Sequence, residues 1–132
     1  MREIKFRGKR IDNGEWAQGE LVTHYFRPKE KCYNIYNCDT DDTEYEIDEN
    51  TLGQYTGIKD RNGTKIFEGD ILRLCESTKP FLIYWSGIAW AAKNMNGKKK
   101  EYAFGSDLIL ECEKCKIIGN IYDNPKLLEG EE

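Results

Sequence analysis

Histidine occurs once in the 132 residues, and proline only three times. No apolar run approaches the roughly 20 residues that a helical membrane span requires. With a single imidazole, any histidine-dependent acid–base or nucleophilic mechanism must run through His24. No Gly-x-Ser-x-Gly elbow supplies a nucleophile for it. Nucleotide-binding glycine patterns are missing too. Gly53, Gly57, Gly63 and Gly69 fall in hairpin context instead of between a strand and a helix. The opening Met1-Arg2-Glu3-Ile4-Lys5-Phe6 lacks the apolar core of a signal peptide, so a cytoplasmic location is expected, with no membrane partner. Net charge is −4, which excludes a general electrostatic pull toward nucleic acid or anionic lipid. The five cysteines are an odd set in a chain without an export signal and read as reduced thiols.

What the chain does have is turn chemistry between short alternating segments. The stretch from Leu52 to Leu72 holds four glycines and the pair Asn62-Gly63, which predicts a two-residue type I′ hairpin. Gly69-Asp70 marks a second reversal, with Asp70 placed to pair with the turn backbone. Upstream, Arg2 to Lys9 alternates. Ile4 and Phe6 share one face, while Glu3, Lys5, Arg7 and Lys9 form a mostly basic outer face. Trp16 to His24 returns as a second strand, with Gly19 signalling a bulge or close approach. Tyr25 to Lys31 reads as a loop broken by Pro28, and Cys32–Tyr36 and Glu44–Ile47 as strands. Asp48 can cap one helical turn. Further strands are expected over 70–75, 80–85, 88–92, 101–104 and 115–122, before a terminal turn opened by Asn124-Pro125. About ten short strands with one short helical turn predict an all-β, barrel-like or sandwich architecture, as one domain over residues 1–132. The expected core includes Ile4, Phe6, Leu21, Tyr55, Ile66, Ile71, Leu82, Ile117 and Ile121.

Four blocks resemble the YopX family of phage and prophage proteins. They are Ile4-Lys5-Phe6-Arg7-Gly8-Lys9, Gly14-Glu15-Trp16 with Gly19, the central run from Gly53 to Ile71, and Ile117 to Pro125 with Leu127-Leu128. They follow the expected order over nearly the whole chain. The regions 25–45 and 75–115, which hold the cysteines, match poorly. The resemblance implies a β-rich fold, a phage or prophage origin and a bacterial host cell. It brings no catalytic residues.

Each chemical candidate has a plain structural counterpart. Cys112 and Cys115 have the CxxC spacing of a zinc half-site. The other pair, Cys32 and Cys38, is too widely spaced for a usual knuckle, although His24 could replace one ligand. Incidental thiols are favoured, and no cofactor is expected. The carboxylates at 39, 41, 42, 44, 46, 48 and 49 lack calcium-loop spacing and read as a solvated face. Lys5, Arg7 and Lys9, with Lys98, Lys99 and Lys100, could track a single-stranded nucleic acid beside exposed tyrosines such as Tyr33 and Tyr36. The leading expectation is a non-enzymatic accessory protein that binds a protein partner or itself, anchored by Trp16, Trp85 or Trp90. Single-stranded nucleic-acid binding comes second and a metal-dependent enzyme third.

Overall fold

The computed structural model describes residues 3–27, 30–37, 41–94, 100–101 and 112–128. The strands are β1 (Phe6–Lys9), β2 (Trp16–Arg27), β3 (Glu30–Asn37), β4 (Thr43–Glu46), β5 (Gly53–Lys59), β6 (Lys65–Phe67), β7 (Asp70–Arg73), β8 (Phe81–Trp85), β9 (Trp90–Asn94), β10 (Lys100–Glu101) and β11 (Lys116–Asn120). Short 3-10 turns follow at Glu49–Thr51 and Pro125–Leu128. Two antiparallel sheets run β4-β3-β2-β1-β5-β6 and β10-β9-β8-β7-β11. The all-β class is as expected. Of the expected architectures the closed barrel is not formed, because neither strand order returns to its start among the described residues. The chain divides into two compact units, Met1–Tyr55 and Thr56–Glu132.

In Met1–Tyr55, β1 pairs β2 in the register Phe6↔Gly19 to Lys9↔Trp16, and β2 pairs β3 from Glu20↔Tyr36 to Arg27↔Glu30. The long β2–β3 hairpin replaces the expected loop at 25–31; a register shift between Tyr25 and Arg27 absorbs the irregularity. Ala17, Ile35 and Ile47 form the core, with Phe6, Leu21, Tyr33, Tyr45 and Leu52 packed against it. Two glycines permit close approach. A Cβ on Gly8 would lie 2.3 Å from Ile47 Cδ1, and one on Gly19 would lie 2.0 Å from the Tyr36 carbonyl oxygen. Asp48 caps the first 3-10 turn by accepting from Asn50 N at 3.0 Å. Ile4 is a correction: β1 begins only at Phe6, and the Ile4 side chain is 59% exposed.

In Thr56–Glu132, Ile66, Leu72, Phe81, Ile83, Ala92, Cys112 and Cys115 form one core cluster, and Ile71, Leu82 and Leu128 a second. The Asp60–Thr64 connection differs from the expected type I′ turn. Gly63 has φ +81°, but Asn62 does not have positive φ. Gly63 N donates to Asp60 O and Asp60 N to Thr64 O, both at 2.9 Å, which makes a three-residue loop with glycine in the left-handed position. The Asp60 carboxylate sets that geometry. Its Oδ1 accepts from Asn62 N and Thr64 N at 2.9 Å each, and its Oδ2 accepts from Ile117 N at 3.0 Å. Gly69 (φ +93°) makes the next reversal, where Asp70 Oδ2 accepts from Phe67 N at 2.8 Å.

Candidate functional site

The β8–β9 hairpin places large apolar side chains in solvent on a rigid turn. Trp85 and Trp90 are register partners, with ring centroids 5.0 Å apart at 70°. Trp90 also packs on the core, while Trp85 stays 48% exposed. The four residues between them are locked. Ser86 N and Ser86 Oγ donate to Ala89 O at 2.9 Å, Ala89 N donates back to Ser86 Oγ at 3.2 Å, and Gly87 takes φ +105°. Ile88 at the apex is 83% exposed. An ordered aromatic and aliphatic tip loses little conformational entropy on association and presents the residue types that dominate interface hot spots. Of the three tryptophans singled out from sequence, Trp85 therefore has the interface geometry, and its neighbour Ile88 was missed. A lone apolar residue in a turn gives no pattern signal.

The expected basic face of β1 is only partly solvent-facing. Arg7 is 8% exposed, and its guanidinium lies 4.6 Å over the Trp16 ring, with Lys9 Nζ at 5.6 Å from the same ring. Lys5 pairs with Glu3 at 3.5 Å. Lys98 and Lys99 lie outside the described residues, and Lys100 is described only as backbone in β10. Cys112 and Cys115 are 1% and 0% exposed within an apolar core cluster, joined by a turn in which Cys115 N donates to Cys112 O at 3.1 Å. Cys38 and Asp39 lie outside the described residues.

A polar cluster crosses three strands on the side turned away from the Ile35 core. His24 faces Cys32 across β2–β3, and Asn34 faces Glu46 across β3–β4. Glu44 Oε2 is shared by His24 Nε2 and, at 2.6 Å, Asn34 Nδ2. These two hydrogen bonds, the imidazole's first, hold the Glu44 carboxyl below its ordinary value. Cys32 Sγ donates to Asn34 Oδ1 at 3.2 Å. Burial first, then the Glu46 carboxylate, push the Cys32 thiol up, so it is no ready nucleophile. Among the described residues no three His, Cys, Asp or Glu side chains stand as a ready-made metal site.

Cys75 behaves oppositely. Its thiol is exposed, lies 3.1 Å from Ser77 Oγ, and is held below its ordinary value by that hydroxyl and the Ser77 amide. A lowered pKa enlarges the thiolate fraction at neutral pH, so iodoacetamide should modify Cys75 before Cys32, Cys112 and Cys115. Peptide mass spectrometry over a pH series should place the Cys75 rate profile below that of a small free thiol. Ser77→Ala should move it back up.

The family model described as YopX protein matches residues 5–129. No curated protein matches the chain. The crystal structure of protein EF1440 from Enterococcus faecalis is similar in fold, with a TM-score of 0.55 and 23% identity over 98% of this chain and 100% of that one.

Proposed function

The chain belongs to the YopX family, and from that premise we propose that it is a non-enzymatic accessory protein of a phage or prophage that binds a protein partner through the β8–β9 tip. One observation carries this reading: Ile88 is 83% exposed beside the half-exposed Trp85, on a turn held by three Ser86–Ala89 hydrogen bonds. Hydrophobic exposure of that kind has a cost in solubility that a binding role offsets. The reading places the protein in the cytoplasm of a bacterial host; no helix among the described residues is long and apolar enough to cross a membrane. Single-stranded nucleic acid is the second reading. Seating of Arg7 against Trp16 weighs against it, because a buried guanidinium is withdrawn from phosphate.

The test is a photo-crosslinking amino acid at position 88, compared with one at the exposed Lys79, in bacterial cells making the protein. A discrete adduct at 88, absent at 79 and lost with Trp85→Ala, is the expected result. An adduct of twice the chain mass assigns the tip to self-assembly, and a different mass to a separate partner. Equal labelling at both positions, or none, overturns the reading. Light scattering at low salt with a short single-stranded DNA checks the second reading: a mass rise that high salt abolishes would install it instead.

A further inference from the structure

An unpaired sheet edge is a template for another chain, and natural sheets guard their edges with short strands, charge or covering groups. The four terminal strands are guarded in this way. Strand β4 is four residues long and carries Glu44 and Glu46, β6 is three residues opened by Lys65, and β10 is Lys100-Glu101 alone. On β11, Asp60 Oδ2 accepts from Ile117 N and Asn124 Oδ1 accepts from Asn120 N at 3.2 Å. The edge of β2 that faces β1 is different. Strand β1 pairs only with Trp16–Gly19, and β2 runs on to Arg27 with no other strand on that side among the described residues. The open run Glu20-Leu21-Val22-Thr23-His24 holds no proline, lysine or arginine, and its centre is apolar and β-branched. Val22 adds a second observation. It faces Asn34, one residue out of phase with the core pair Leu21↔Ile35, so it is a half-buried apolar side chain on the face of His24, Asn34 and Glu44.

We propose that this edge pairs with the same edge of a second copy of the chain, antiparallel across a two-fold axis at Val22, in one continuous β4-β3-β2-β2-β3-β4 sheet. Symmetry selects the register. An axis normal to the sheet keeps each face on its own side, so only residues of equal parity face each other. With Val22 on the axis, Val22 meets Val22, Leu21 meets Thr23, and Glu20 of one copy meets His24 of the other. The last pair sets a carboxylate opposite an imidazole and forms twice, and the first is a β-branched contact. Both kinds stabilise cross-strand pairing. Moving the axis to Thr23 sets Glu20 against Phe26 and loses that complementarity. An edge this short buries less than a permanent interface, so the pair is reversible and depends on concentration.

Light scattering over a dilution series of the purified full-length protein tests the pairing. The unaltered chain should pass from twice the chain mass to once as it is diluted. Val22→Glu and Val22→Lys each bring like charges together on the axis, and each should weaken the pair by about tenfold or more. Mixed in equal amounts, the two variants should regain the doubled mass, because glutamate then faces lysine. Trp85→Ala, on the β8–β9 tip, should leave the mass unchanged, which keeps this result separate from the crosslinking at position 88. Circular dichroism confirms that each variant remains folded, and the dilution series of the unaltered chain stands without them. A single chain mass at every concentration up to the solubility limit overturns the assignment. So does a doubled mass that survives in both Val22 variants, one that is lost with Trp85→Ala, or a mixture that stays at the single mass.

Discussion

Replacing Asp60 with alanine should destabilise the protein by about 4 kcal/mol. The carboxylate is 6% exposed and accepts three backbone N–H groups, from Asn62, Thr64 and Ile117. Charge-assisted hydrogen bonds of this kind contribute roughly 1.5–3 kcal/mol each, and removing the acceptor strips all three part-buried amides of their partner at once. The first two bonds shape the loop between β5 and β6. The third ties that loop to β11, so the alanine variant loses a local device and a long-range one together. Asp60→Asn separates them. Its carbonyl can keep Asn62 and Thr64, but an NH2 then faces the Ile117 N–H, and about 2 kcal/mol should be lost. Urea unfolding followed by circular dichroism reads both, as a lower midpoint with little change in slope. An alanine variant within 1 kcal/mol of the unaltered protein would show that water replaces the carboxylate at all three amides.

Gly19→Ala should cost about 3 kcal/mol, at the upper end of overpacking losses. The new Cβ would lie 2.0 Å from the Tyr36 carbonyl oxygen and 2.8 Å from its carbon. These are backbone atoms of β3, fixed by the neighbouring pair Glu20↔Tyr36, so no rotamer change relieves the contact. Strand β2 must lift from β3, or the pairing of Phe6 with Gly19 must open. Gly57 is the control. It has φ +89° and open space at its Cβ, so Gly57→Ala meets only the left-handed backbone penalty of about 1 kcal/mol. The melting temperature should therefore fall about three times as far for the Gly19 variant. Equal shifts would show that backbone conformation, not the Tyr36 contact, fixes glycine at position 19.

These two sites mark the boundary of what the sequence discloses. Alternation at Phe6–Lys9 and Trp16–Leu21, the Asp48 cap and the Asn124-Pro125 turn are local, so residue spacing reveals them directly. Asn62-Gly63 misleads as to turn type because Asp60, two residues earlier, supplies the hydrogen bonds that define a longer loop. Tyr25 to Lys31 reads as a loop, yet Tyr25 pairs with Lys31 and Arg27 with Glu30 across β2 and β3, a partnership that only the facing strand reveals. Alternation assigns Arg7 to a solvent-facing basic face, yet Arg7 is 8% exposed, because Trp16, nine residues on, packs against its guanidinium. The CxxC spacing of Cys112 and Cys115 is blind to their burial. The contact of His24 with Glu44 spans β2, β3 and β4, and no pattern in one segment could have announced it.

The order of strands in the second sheet bears on how the chain leaves the ribosome. Strand β7 lies between β8 and β11, and β11 is the last to be synthesised. Asp60 and its partner Ile117 are 57 residues apart. At elongation rates of about 5–20 residues per second, the nascent chain waits roughly 3 to 11 seconds between them. Once β7 (Asp70–Arg73) has been made, its β11 edge has no neighbour for the rest of that interval, and the Asp60 loop has only its local bonds. Codon choice between these positions thus sets how long an unpaired β-edge is offered to other nascent chains.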